Sequence, residues 1–315
     1  MKEDFIKALE SNDINIMKKV PKSDLHNHGP RGGNKKLIGE FYGVSIAKPP
    51  KFKSLYEMNK WNNENIKPFI KGKDGYEKRI EAAFLQAKND GIKVLDMCFD
   101  TGEINEYDGS VEKMVEALKK LHNTFAPEIN FIPGIALNTY NSIDILDNEL
   151  DKFLAQDYFK SLDTYGNEKD IIKFKKLYRK AKAKGLILKA HVGEFGSAEL
   201  VRQAVEELEL DQVQHGIAAV NSKGIMTWLA DNRILLNICP TSNVMLSRVN
   251  DYKVHPIKEL YHNGVKVTVN TDDMLIFDAS VSYEFFNLYK AGVLDAKELN
   301  EIRENGLNIY MWVSP

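Results

Sequence analysis

Eight short apolar runs, each leading into a longer amphipathic stretch, constrain this 315-residue chain more than any other feature. They are "SDLHNH" (23–28), "IKVLDMCFD" (92–100), "NFIPGIALN" (130–138), "FKSLDTYG" (159–166), "LILKAHVGE" (186–194), "QVQHG" (212–216), "ILLNICP" (234–240) and "VKVTVNTDD" (265–273). Several are apolar without alternation, the pattern of a strand buried on both faces. Between them, "SVEKMVEALKKLHNTF", "KDIIKFKKLYRKAKAKG", "SAELVRQAVEELEL" and "KGIMTWLADN" space their apolar residues by three and four, as a helix with one buried face does. Strands alternating with helices build a parallel sheet, and eight such units predict an α/β chain closed into a (β/α)8 TIM-type barrel. The competing doubly wound sheet is disfavoured, because no GxGxxG or GxxxxGK[ST] loop follows any of the runs.

No Gly/Ser-rich or Pro-rich linker and no internal repeat divides the sequence, so a single domain over 1–315 is expected. One interval breaks the rhythm. Residues 40–90, beginning "EFYGVSIAKPPKFKSLYEMNKWNNENIKPFI", are too many for an ordinary strand-to-helix loop. They predict a helical insertion that caps the barrel mouth, with Phe52, Leu55, Tyr56, Met58 and Trp61 as an apolar wall. Lys and Arg number 43 against 45 Asp and Glu, so no basic field exists to attract nucleic acid or an anionic membrane. Cys98 and Cys239 stand in unrelated contexts, which excludes a disulfide framework and a CxxC zinc knuckle. The N-terminal "MKEDFIKALESND" is charged and lacks the apolar core of a signal peptide, and no run approaches transmembrane length. The cytoplasm is the expected compartment.

Catalytic groups of such a barrel project from the C-terminal ends of its strands, and the unusual polar residues cluster there. His26 and His28 end the first run; a spacing of two on a strand points both imidazoles to one face. His191 and Glu194 end the fifth run, His215 the sixth, and Asp272 and Asp273 the eighth. His26, His28 and His191 with Asp272 suit a borderline divalent cation such as zinc, one per chain, with a position left open. Binding would fix the three imidazoles as neutral and Asp272 as carboxylate. Such an ion lowers the pKa of water from about 15.7 to about 7, and Glu194, His215 and Asp273 remain for proton handling and orientation.

The ordered set "PKSDLHNH", "SLDTYGNE", "HVGE", "QHG", "CPTSN" and "NTDD", within about residues 20 to 310, resembles the adenosine deaminase family of the amidohydrolase superfamily. "DLHxH" alone would not distinguish it from PHP-type phosphoesterases; the combination does. The resemblance implies a hydrolase acting on a C–N bond, converting adenosine or a related 6-aminopurine nucleoside, nucleotide or base to the 6-oxopurine and ammonia. It implies one zinc on His26, His28, His191 and Asp272. Glu194 would protonate purine N1 as hydroxide attacks C6. His215 would orient the attacking water, help remove its proton and stabilise the charge. Asp273 would meet N7 and position the hydroxide, and the backbone of Gly166 would reach N3. "CPTSN" reads as structural. Adenine, AMP or an N6-substituted adenine compound are alternative substrates. A two-metal amidohydrolase with a carbamylated lysine is a further alternative, for which Lys189 is poorly spaced.

The sequence departs from the family after His28. Adenosine-specific members carry an Asp-Gly there, the aspartate taking a ribose hydroxyl; this chain reads "GPRGGNKK", with Pro30 and Arg31 at those positions. Proline offers neither a side-chain acceptor nor an N–H. Arg31, followed by Lys35 and Lys36, is expected to accept an anionic substrate such as a purine nucleotide.

Overall fold

The structure, a computed structural model, describes residues 1–308, so the last seven residues of the expected domain lie outside the described residues. Each of the eight apolar runs coincides with a strand: β1 Lys22–His28, β2 Ile92–Asp100, β3 Asn130–Asn138, β4 Ser161–Tyr165, β5 Ile187–Val192, β6 Gln212–His215, β7 Leu235–Ile238 and β8 Lys266–Val269. Every strand pairs in parallel with the next in chain order, with helices between them. The seam between β8 and β1 is closed past the end of β8. There the Asp272 N–H donates to the His26 carbonyl at 2.8 Å, and the Leu25 N–H to Asn270 Oδ1 at 2.7 Å. The result is a nearly closed barrel.

The outer shell follows from helical periodicity. The helix Val111–Phe125 is capped by Ser110, whose Oγ accepts the Lys113 N–H, and it buries Val111, Met114, Val115, Leu118 and Leu121 on one face. Inside the barrel the packing is partly polar. Lys189 Nζ lies 2.7 Å from Asp96 Oδ1 with both side chains fully buried, and Ser161 Oγ donates to the same oxygen at 3.0 Å. The ammonium that a two-metal site would need as a carbamate is therefore committed to an ion pair one layer below His191. Cys98 and Cys239 are free and buried, packed rather than presented to solvent.

The interval 40–90 contains the helices Leu55–Asn65 and Gly72–Asn89, and Lys35–Tyr42 runs into it. A second apolar cluster joins Ile38, Phe52, Met58 and Ile66 to Leu246, Ile276 and Phe277 beside the barrel mouth. The expected apolar wall is narrower than the sequence implies. Leu55 and Met58, three apart on one helix face, line the mouth cavity, whereas Tyr56 on another face is 77% exposed. Phe52 is buried against Trp61 instead of facing the cavity. Among the described residues no helix is long and apolar enough to cross a membrane.

Candidate active site

His26 and His28 share the inward face of β1, as the period of a strand requires. His191 comes from β5, and Asp272 from the turn three residues past β8. His26 Nε2 lies 3.0 Å from His191 Nε2 and 3.7 Å from Asp272 Oδ1; His28 Nε2 lies 3.2 Å from that same oxygen. Their other ring nitrogens decide what the first two present. His26 Nδ1 faces the Asn237 carbonyl at 3.3 Å and His191 Nδ1 faces Asp163 Oδ1 at 3.2 Å. A carbonyl and a carboxylate only accept, so each Nδ1 carries the proton and each Nε2 presents a lone pair. Two lone pairs turned towards each other beside a carboxylate call for a cation. Ligand-to-ligand separations in a tetrahedral zinc site are about 3.3 Å, given bonds of about 2.0–2.1 Å, and the cluster has that size.

The electrostatics agree. Burial opposes charge on His28, but its hydrogen bond to Asp272 and the nearby Asp273 push it up to about 9, so the pocket draws positive charge. Asp272 is held well below the usual carboxylate range: burial opposes this, and the hydrogen bond to His28 with the His26 imidazole overcomes it. Ser242 Oγ also donates to Asp272 Oδ2 at 2.6 Å.

Glu194 lies two residues past β5, in the turn, with Oε2 3.6 Å from His215 Nε2. Burial first, then the facing Asp272 charge, holds its carboxyl well above the usual range. Its Oε1 is buried with no hydrogen-bond partner among the described residues, and so is Asp273 Oδ1. His215 and Asp272 both adopt left-handed backbone, at φ 63° and 58°. Non-glycine residues hold that conformation only rarely, Asp and His more readily than most. Arg31, in the short turn after β1, donates from Nη1 to Asp273 Oδ2 at 2.9 Å and from Nη2 to Asn59 Oδ1 at 3.2 Å. Its charge is met within the protein, by Asp273.

These groups open into one cavity of about 280 Å³. Its lining brings together His28, His191, Glu194, His215, Asp272 and Asp273, and also Arg31 and Gly166. His26 stands beneath, in contact with His191. A Cβ on Gly166, whose φ is 116°, would collide with Thr139 Oγ1, so glycine is required there.

A model of the family described as adenosine deaminase matches residues 88–312, well over half of the chain. A putative adenosine/adenine deaminase of Treponema pallidum is 30% identical over 277 residues, covering 87% of this chain and 93% of its own. This chain belongs to the adenosine deaminase family. It is a hydrolase acting on C–N bonds. Among solved structures, the adenine deaminase of Arthrobacter aurescens superposes with a TM-score of 0.79 at 23% identity, over 91% of this chain and 92% of its own. An amidohydrolase of Burkholderia ambifaria with bound zinc gives 0.74 at 19% identity, over 95% and 87%. At those identities the likeness is one of fold.

The structure adds residues of this deaminase to which the motifs assign no role. Glu168 accepts four backbone N–H groups: Gly193 at 2.6 Å, Glu194 at 3.1 Å, Phe195 at 2.6 Å and Gly196 at 3.0 Å. One carboxylate thus shapes the whole turn that aims Glu194. Its place in "DTYGNE" is visible in the sequence, but a carboxylate bonded only to backbone leaves no side-chain partner to look for. Glu168→Gln puts an amide donor among those donors; kcat is expected to fall about 100-fold, the cost of roughly 1 Å of misplacement, with a smaller change in KM. Steady-state kinetics decide between this and a purely structural role, in which the folded fraction would fall without a change in kcat per folded molecule.

"CPTSN" does more than pack. The Ile257 N–H donates to His255 Nδ1 at 3.1 Å, so His255 carries its proton on Nε2, 3.3 Å from Asn243 Oδ1. Asn243 Nδ2 then donates to His215 Nδ1 at 3.2 Å, which leaves the His215 proton on Nε2, pointing into the site. Burial drives His215 and His255 each down to about 3, so both are neutral.

The same loop is anchored by Glu284, fully buried, whose oxygens accept the Thr241 N–H at 3.0 and 3.1 Å. Burial pushes its carboxyl up to about 8. An unfolded glutamate titrates near 4.3, so between these values the folded state keeps a proton that the unfolded state loses. The stabilising contribution is complete below about pH 4 and is lost as pH rises through about 8. The thermal midpoint of Glu284→Gln should therefore decline less between about pH 5 and pH 8 than that of the parent protein.

Proposed function

We propose that this deaminase hydrolyses the exocyclic C6 amine of an uncharged 6-aminopurine, adenosine or adenine, to the 6-oxopurine and ammonia. One observation carries the reading. Two buried carboxyl oxygens without partners, Glu194 Oε1 and Asp273 Oδ1, flank a cavity floored by inward-facing nitrogen and oxygen donors. The residues fit one zinc ion on His26, His28, His191 and Asp272, and the zinc in the Burkholderia amidohydrolase supports that choice of metal. When bound, the ion supplies the Lewis acidity that lets a water ionise near neutral pH.

The chain's own residues do the rest. Glu194, kept protonated by burial, donates to purine N1 as the C6 carbon gains oxygen. Its carboxylate then carries the proton of the added hydroxyl to the exocyclic nitrogen, the C6–N bond breaks with ammonia leaving, and the proton the water first lost returns to Glu194. His215 enters as a neutral imidazole with Nε2–H directed into the site, so it holds the attacking oxygen by donation and stabilises its charge. Asp273 borders the N7 edge with Arg31 beside it, and the Gly166 backbone borders N3. Arg31 contacts the substrate from that side, and its pairing with Asp273 favours an uncharged substrate over a phosphorylated one. The name of the Treponema relative, adenosine/adenine deaminase, supports the same two substrates.

Ammonia release from adenosine, adenine and AMP at equal concentration, with zinc-loaded protein and Glu194→Gln as blank, tests this reading. Release from adenosine or adenine exceeding that from AMP is expected. AMP as the preferred substrate would restore the phosphate role for Arg31, and release from none with zinc bound would overturn the proposal.

A further inference from the structure

The cavity lining carries two acids that the reaction above does not use. Asp100 ends β2, and Glu103 follows in the 3₁₀ turn Thr101–Tyr107; both line the cavity. Each is held in place. Asp100 Oδ1 accepts the Gly102 N–H at 2.8 Å, and its Oδ2 accepts the Tyr165 hydroxyl at 2.5 Å. The Tyr165 ring stands 6.2 Å from that of His28 and 6.1 Å from that of His191, so one phenol separates Asp100 from the metal donors. Tyr76 donates to Glu103 Oε2 at 2.7 Å from the other side. An ionised carboxylate has about four lone-pair sites, and a protonated carboxyl keeps some acceptor capacity beside its O–H, so these bonds leave both residues able to take further partners.

The proposed orientation of the base gives the acids a partner. With N1 at Glu194, N3 at Gly166 and N7 at Asp273, the N9 substituent leaves between the last two and away from the metal donors. Asp100 and Glu103 line the same cavity and are the acids left to receive it. A ribose brings three hydroxyl donors, and Pro30 cannot accept any of them. A 5′-phosphate would instead bring a dianion to a lining that holds both acids, where Arg31 is already paired with Asp273. The unpartnered Glu194 Oε1 and Asp273 Oδ1 independently mark this cavity as one that receives a polar ligand.

We propose that Asp100 and Glu103 form the sugar-recognition wall of this deaminase, accepting hydrogen bonds from ribose hydroxyls and selecting an aminopurine nucleoside over the free base and over the nucleotide. This rests on the base orientation given above. Burial pushes Glu103 up to about 8, so near neutrality it can also donate to a sugar oxygen while Asp100 accepts.

Calorimetric titration with purine riboside, purine and purine riboside 5′-phosphate tests the wall, because none of them has an amine to release. Zinc-loaded parent protein should bind the riboside more tightly than purine or the 5′-phosphate. Asp100→Asn should narrow the riboside-to-purine affinity ratio by about 10-fold or more, the effect of removing a charge-assisted hydrogen bond, and Glu103→Ala by about 5-fold, the effect of removing a neutral one. An unchanged ratio, an equal loss for riboside and purine, or tightest binding of the 5′-phosphate overturns the proposal. Should either variant fail to fold, the 2′-, 3′- and 5′-deoxy ribosides make the deletion on the ligand side. At least one of them should bind the parent protein about 10-fold more weakly than purine riboside does, and binding of all three as tight as that of the riboside overturns the wall. Riboside preference without ammonia release from any aminopurine would sink the proposed reaction and leave the wall standing.

Discussion

Glu194→Gln is expected to yield a folded protein that still binds purine riboside but whose kcat falls about 10²–10⁴-fold. The argument rests on how narrowly the substitution acts. Glutamine keeps the shape of the side chain, and Glu168 holds the 193–196 turn through backbone N–H groups that the change leaves in place. What disappears is a carboxyl that burial and the facing Asp272 keep protonated. Its unpartnered Oε1 sits in the cavity where an acceptor nitrogen of the base would take that proton. A glutamine amide can donate a hydrogen bond there but cannot transfer a proton. Single-turnover rates together with the riboside dissociation constant separate the two effects. A kcat within about threefold of the parent's would remove Glu194 as the acid, since a positioned general acid contributes far more than that.

Stripping the protein with a chelator should abolish ammonia release and lower the thermal midpoint by about 5 °C, both restored by zinc. A ligand at about 100 times its dissociation constant stabilises by about 2.7 kcal/mol, and about 2 °C per kcal/mol is ordinary for a chain of this size. The structure explains why the folded state would want the ion. His26 Nε2 and His191 Nε2 face each other at 3.0 Å while their Nδ1 atoms are held as donors by Asn237 and Asp163. Without a cation, one imidazole must change tautomer or gain a proton inside a buried pocket, and burial holds His26 well below its ordinary pKa. Asp272→Ala should reproduce the stripped protein and lose the thermal response to zinc. Full activity after verified removal of metal would refute the metal reading.

Much of this was legible without coordinates because it repeats along the chain. The barrel shows in the alternation of eight apolar runs with amphipathic helices, a local signal with fixed periods. His26 and His28 could be placed on one face by their spacing alone, and the strand-end rule grouped His191, His215 and Asp272 with them. The boundaries were less clear. β8 ends at Val269, so Asp272 and Asp273 lie in a turn, and Glu194 lies past β5. Those positions need backbone that a strand cannot give, and Asp272 meets the need at φ 58°.

What the sequence by itself determined is the kind of chemistry: imidazoles, carboxylates and strand ends suited to one divalent cation, because side-chain type and strand period are local properties. The tertiary structure decided how each group is prepared for its task. The ion pair of Arg31 with Asp273 joins residues 242 apart, and the path from Ile257 through His255 and Asn243 sets the His215 tautomer. Lys189 became a buried counter-ion of Asp96, and Asp100 and Glu103 came to line the same cavity as Glu194. Hydrogen-bond partners and burial depend on which distant segments the barrel brings together, and no window of sequence contains both ends of those contacts.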